Sequence, residues 1–158
     1  MFSELDELQS INIEHVITLL SIHEEGETRI GDIVPYDGIT PEEKAKMERE
    51  AVVSIFENLR IGKWLISLFD EFEAKETPEA KFAYYCDKLD FDLRMHEYSS
   101  DGRCSINTAT YERVSLPSVQ EILSNGAKTV WDVLYEEDKK IYEGTYLEEF
   151  FNFMKDLS

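Results

Sequence analysis

Two amphipathic stripes in this chain are each broken by a group that a dry interior does not accept unpaired. From Asn12 to Glu24, Ile13, Val16, Ile17, Leu20 and His23 recur at three-and-four spacing, which predicts one helix with His23 on its core-facing side. Thr77-Pro78-Glu79 reads as an N-cap followed by proline at the first helical position, and the stripe of the helix it opens runs Ala80, Ala83, Tyr84, Asp87, Phe91. A buried imidazole or carboxylate must be hydrogen-bonded, ion-paired or metal-bound, because an isolated charge in a low-dielectric interior neutralises itself or destabilises the fold. One such residue is ordinarily a satisfied core group. Two, on two helices, point to a shared site, and a metal centre is the expectation.

The remaining punctuation fits helices joined by loops. Thr40-Pro41-Glu42-Glu43 is a capping box opening a charged helix to about Leu59, and Gly62 separates it from an aromatic-rich helix over Trp64 to Glu73. Gly126 ends a helix over Val119 to Ser124, and Thr145-Tyr146-Leu147-Glu148 is a further capping box opening a last helix through Phe150, Phe151, Phe153 and Met154. Ser99 to Arg113, with Asp101-Gly102, reads as a loop or a short hairpin. The expected fold is all-α, a compact helical bundle. With 158 residues and no repeat, linker or low-complexity tract, one domain over 1–158 is expected. The aromatic residues Phe69, Phe72, Phe82, Tyr84, Tyr85 and Phe91 at helical spacing are read as core rather than as a nucleobase pocket.

Charge removes several function classes. Lys and Arg number 16 against 34 Asp and Glu, a formal charge of −18, whereas nucleic-acid affinity comes from cations displacing counterions. Nucleic acid is not an expected partner. A small phosphorylated substrate is compatible only where the local field reverses, through Arg29, Lys88 or a bound metal. Met1 to Glu7 has neither the basic start nor the apolar core of a secretory leader, and no apolar run spans a bilayer. Cys86 and Cys104 lack metal-ligand spacing and fit a reducing compartment, so the expected location is the cytoplasm, away from any membrane. There is no P-loop, dinucleotide glycine fingerprint or GxSxG elbow, and His23-Glu24-Glu25-Gly26-Glu27 lacks the second histidine of a zincin helix.

The order His23-Glu24-Glu25-Gly26-Glu27, Gly31-Asp32-Ile33, a Lys/Glu-rich helix, Leu65 to Glu73, Thr77-Pro78-Glu79-Ala80-Lys81-Phe82 and Asp87-Lys88-Leu89 resembles the HD-domain metal-dependent phosphohydrolases. Within them it is similar to the branch of small bacterial 5'-deoxynucleotidases. The resemblance covers about His15 to Tyr98 and leaves the helices of 115–158 unassigned. It implies that His23, Glu24 and Asp87 bind a divalent metal ion such as Mn, Co or Mg, with Glu24 in place of the family's aspartate. Glu27 and Asp32 match the acidic pair that acts on the attacking water and the substrate, and Gly31 suits the turn between them. The substrate implied is a nucleoside 5'-monophosphate or similar small phosphoester, and the assembly implied is a homodimer.

Two departures from the family pattern lead to the expectation of impaired activity. Glu24 reaches about 1.5 Å further than aspartate, in a site that tolerates errors of about 0.2 Å. The family's first metal-binding histidine lies on an earlier helix that this sequence does not supply. His15 does not replace it: eight residues along a helix is about 12 Å of rise, against a ligand distance of about 2.1 Å. A non-catalytic HD-like protein acting through association is the alternative expectation.

Overall fold

The computed structural model describes residues 10–34, 37–108 and 111–156. The leader reading at Met1 to Glu7 lies outside the described residues. Nine α-helices and two 3₁₀ turns make up the regular structure among them, with no strand, so the fold is all-α. The chain divides into two compact units, one running to Asp87 and one beginning at Lys88.

In the first unit, α1 (Ile13–Leu20) is opened by Asn12, whose side chain accepts from the His15 N–H. Its buried residues are Val16 and Leu19, while Ile13 and Ile17 are exposed. The true stripe is therefore rotated from the expected one by part of a turn, an ambiguity that a short helix with apolar residues on two adjoining faces leaves open. The helix also stops before His23. The chain turns at Ser21 and Ile22 and continues as a 3₁₀ turn at His23–Glu25, followed by α2 (Glu27–Ile30).

The capping box at Thr40 is present in full. Its hydroxyl accepts from the Glu43 N–H and the Glu43 carboxylate accepts from the Thr40 N–H, opening α3 (Pro41–Phe56). Gly62 does not separate two helices but begins α4 (Gly62–Ala74), because a Cβ there would lie 1.8 Å from the Phe56 carbonyl oxygen. Only glycine permits the α3–α4 corner to close this tightly. The long helix α5 (Pro78–Ser100) is capped by Thr77, whose oxygen accepts from the Ala80 N–H. The core of this unit is Val16, Leu19, Leu68, Phe72, Ala80 and Ala83, with Val52, Phe56 and Phe69 as an adjoining cluster.

The second unit begins within α5. That helix extends to Ser100, beyond the expected start of a loop at Ser99, and a 3₁₀ turn follows at Ile106–Thr108 in place of a hairpin. Then come α6 (Tyr111–Val114), α7 (Pro117–Ser124), α8 (Val130–Tyr142) and α9 (Glu148–Asp156). The last helix starts later than the Thr145 capping box predicts. The Thr145 hydroxyl donates to the Tyr142 carbonyl and Glu148 accepts from the Gly144 N–H, so these residues close a turn before the helix. Trp131, Leu134, Tyr135, Tyr142, Phe151 and Met154 form the core, with Leu89 and Met95 packed against it. Phe151 stacks on Tyr142 at 4.3 Å and on Tyr135 at 5.2 Å between ring centres.

Candidate metal centre

Three ligand-bearing side chains converge in the first unit. His23, Glu24 and Asp87 each offer one ligand atom, and these atoms lie within 4.8 Å of one another. Two different devices bring them together. The turn after α1 projects His23 and Glu24 from adjacent positions, and the Phe72 ring lies 4.6 Å from the imidazole, filling the space beneath it. Asp87 lies seven and four residues beyond Ala80 and Ala83, on the face of α5 that those two alanines bury completely.

The start of α5 is held by its own network. His15 Nε2 lies 3.0 Å from both Glu71 carboxylate oxygens, the Thr77 hydroxyl donates to Glu71 at 2.8 Å, and Glu79 accepts from the Asn12 N–H at 3.1 Å. His15 is thus a tie between α1 and α4 and is absent from the candidate ligand cluster.

Hydrogen bonding fixes the chemistry of His23. Its Nδ1 lies 2.7 Å from the Leu20 carbonyl, which only accepts, so Nδ1 carries the proton. In the neutral ring Nε2 therefore presents a lone pair, and it faces Asp87 Oδ1 at 3.2 Å and Glu24 Oε1 at 3.8 Å. Acceptors cannot share this space without a cation between them. A proton is one solution: burial lowers the His23 pKa, but the hydrogen bond to Asp87, the Leu20 carbonyl and the charges of Asp87 and Glu24 outweigh it and leave the pKa above its ordinary value. A divalent metal ion is the other, because neighbouring ligands in an octahedral shell of about 2.1 Å radius are about 3 Å apart. One imidazole nitrogen and two carboxylates form a donor set that fits such an ion.

The other two expected residues lie outside this cluster. Glu27 opens α2 and pairs with Lys44 at 3.3 Å; Lys44 also reaches Glu48 at 3.4 Å. Burial lowers the Lys44 pKa, but the Glu48 charge and the Glu27 hydrogen bond raise it further, so its net shift is upward. Gly31 adopts φ 77°, as its place in the turn requires, and Asp32 follows it with an exposed side chain. Sequence reasoning missed Lys44 as the partner of Glu27. Its spacing to Glu48 is a legible i,i+4 pair, but nothing in the pattern links α3 to the 23–27 turn. That link is packing: Gly26 is buried against Glu48, where an added Cβ would lie 3.0 Å from the Glu48 carbonyl oxygen.

The class that fold and site define is an all-helical protein with a histidine–carboxylate cluster that could hold a metal ion at a helix-to-turn junction. An HD-domain signature matches residues 1–131, and the chain belongs to the HD-domain family. It is 39% identical over 95 residues to 5'-deoxynucleotidase hdd1 of Schizosaccharomyces pombe, a match covering 56% of this chain and 48% of that protein. It is 35% identical over 91 residues to 5'-deoxynucleotidase HDDC2 of Danio rerio, covering 56% and 46%. The Mus musculus protein of the same name is 31% identical over 121 residues, covering 72% of this chain and 61% of its own length. The chain thus spans about half the length of the first two of these curated relatives.

Proposed function

We propose that this chain is a metal-dependent phosphohydrolase acting on nucleoside 5'-monophosphates, deoxynucleotides first among them. The single observation that carries the reading is the 3.2 Å approach of His23 Nε2 to Asp87, with Nδ1 pinned by Leu20 so that the lone pair points at the carboxylate. Membership of the HD-domain family and similarity to relatives named 5'-deoxynucleotidase support it. His23, Glu24 and Asp87 would hold the ion, which is Mn, Co or Mg in this reading. When bound, a divalent ion lowers the pKa of water and offsets charge on a phosphoryl oxygen.

The protein's own groups supply the rest. Leu20 fixes the His23 tautomer, Phe72 limits water behind the ring, and the network of His15, Glu71 and Thr77 sets the register of α5 and with it Asp87. Glu27 and Asp32 are assigned the acid–base and substrate-orienting roles, with Lys44 holding Glu27 on its inner side. The same reading takes the protein to be cytoplasmic, on its cysteine usage, and a homodimer, on the family resemblance. Among the described residues no helix is long and apolar enough to cross a membrane.

The test is metal analysis of the purified protein, followed by phosphate release from deoxynucleoside 5'-monophosphates with added Mn²⁺, Co²⁺ or Mg²⁺. Activity that requires the ion and is lost in Asp87→Ala supports the assignment. Hydrolysis that persists in Asp87→Ala, or no hydrolysis with any of the three ions, overturns it and favours a role in association.

A further inference from the structure

A second buried acid site lies in the unit beginning at Lys88, unrelated to the chemistry above. Asp92 on α5 is 1% exposed, and Tyr142 on α8, which it faces, is fully buried. The Tyr142 hydroxyl donates to Asp92 Oδ2 at 2.5 Å. Among the described residues no N–H or O–H group reaches Asp92 Oδ1, although that oxygen is shielded from solvent. One turn earlier on α8 stands another carboxylate, the half-buried Asp138, whose charge and hydrogen bonding both act on Asp92.

An ionised Asp92 would leave a charged oxygen buried without a donor and set two anions together, an arrangement costing far more than one protonation. A protonated Asp92 resolves both problems: Oδ1–H donates to the Asp138 carboxylate while Oδ2 goes on accepting from Tyr142. We propose that Asp92 and Asp138 share one proton in the native protein, and that this carboxyl–carboxylate bond is the pH-sensitive fastener between α8 and the 88–100 stretch of α5.

The surrounding charges agree with this arrangement. Lys88 on α5 favours the ionised form of both acids, and Arg113 on α6 favours that of Asp138 while forming an ion pair with Glu137. From α9 the nearest contribution is the apolar ring of Phe151 on Tyr142. Two cations thus stand against two negative charges, that of Glu137 and the one shared by Asp92 and Asp138. Burial pushes the Asp92 carboxyl up, Tyr142 pulls it down, and the Asp138 charge and hydrogen bond raise it again, to about 7. Burial likewise raises Asp138, and the bond from Asp92 and the charges of Arg113 and Lys88 offset this only in part, so the proton belongs to the pair.

The sign of the effect follows. In the unfolded chain Asp92 loses its proton near pH 4, and in the folded protein it keeps it to near neutrality. Folding therefore binds a proton throughout that window, and stability falls as pH rises through it, levelling off above.

Asp92→Asn is the decisive variant, because its amide reproduces the donor and the acceptor of the protonated carboxyl and cannot ionise. Thermal unfolding of the full chain is followed from pH 5 to pH 8. The proposal expects the variant's Tm to gain on wild type by a few degrees across that range and to equal or exceed it at pH 8. A variant that is less stable by the same margin at every pH, or whose deficit grows toward pH 8, shows that wild type uses an ionised Asp92, and overturns the proposal. If Asp92→Asn does not fold, carboxyl ¹³C NMR titration of wild type decides. A protonated Asp92 at pH 5.5 to 6 whose midpoint rises further in Tyr142→Phe supports the shared proton, and full ionisation at pH 5.5 refutes it.

Discussion

At the scale of single residues, the candidate centre depends on one tautomer and one carboxylate. If His23, Glu24 and Asp87 bind a divalent ion, the ion stabilises the folded chain by mass action, about 2.7 kcal/mol when free metal is a hundredfold above Kd. Asp87→Ala should abolish this gain, since it removes the ligand that faces the Nε2 lone pair. Melting curves with and without millimolar Mn²⁺ read this directly, and a metal-induced rise in Tm that survives in Asp87→Ala would assign the ion to other residues. Glu24→Asp asks a finer question. The Glu24 carboxylate is 3.8 Å from Nε2 on a side chain that is 74% exposed, so it is the loosest of the three candidate ligands. Shortening it by one methylene should change metal affinity by about 10–100-fold, the range associated with misplaced supporting groups, and isothermal titration measures it. An unchanged affinity would remove Glu24 from the ligand set.

At the scale of elements, stability rests on how helices begin and how closely they meet. Thr40→Ala removes the hydroxyl of a complete capping box and should cost about 1 kcal/mol by denaturant melting, with the same expected for Thr129→Ala at the start of α8. Gly62→Ala should cost at least about 1–3 kcal/mol, because the new Cβ meets the Phe56 carbonyl at 1.8 Å and the α3–α4 corner must open. A neutral Gly62→Ala would mean that the corner is not as tight as described.

These elements differ in how legible they are from sequence. Pro41 and Pro78, each behind a threonine cap, announce their helices locally, and Gly126 announces an end. The face of α1 is not local information, because Val16 and Leu19 are chosen over Ile13 and Ile17 by what packs on them. Thr129-Val130-Trp131-Asp132 carries the capping pattern with aspartate in place of glutamate, a weaker form of the same signal that does not by itself announce α8. The stripe drawn through His23 fails, because the helix ends at Leu20 and a turn carries the imidazole inward, whereas Asp87 is legible as a polar group on the stripe of its helix. Asp92 has that signature too, three residues after Leu89 and three before Met95, both of which pack on the second core. Its partner Asp138 is not legible, since only tertiary packing brings α8 to it.

At the scale of the whole molecule, the charge of −18 on 158 residues outweighs every local feature in the long-range field. A nucleoside monophosphate approaching this surface is an anion approaching an anion, so long-range forces oppose encounter, the reverse of the steering found where substrate and protein differ in sign. Among the positive groups of the unit that carries the candidate centre, Lys44 is held between Glu27 and Glu48. If the proposed ion is bound, attraction comes at short range, from it and its neighbours, while the surrounding field repels. Raising ionic strength from about 0.01 to 0.15 M shortens the screening length from about 30 to 8 Å, which weakens the distant repulsion and leaves contacts at the site largely intact. For phosphate release from deoxynucleoside monophosphates, kcat/KM should thus rise over this range in a non-coordinating salt. The change should appear in KM, with kcat nearly constant, because screening alters the local concentration of substrate and not the bonds made once it is bound. A kcat/KM that falls steeply with salt would show that a positive field governs approach despite the net charge, and would direct attention to Arg29 and Lys88 as its source.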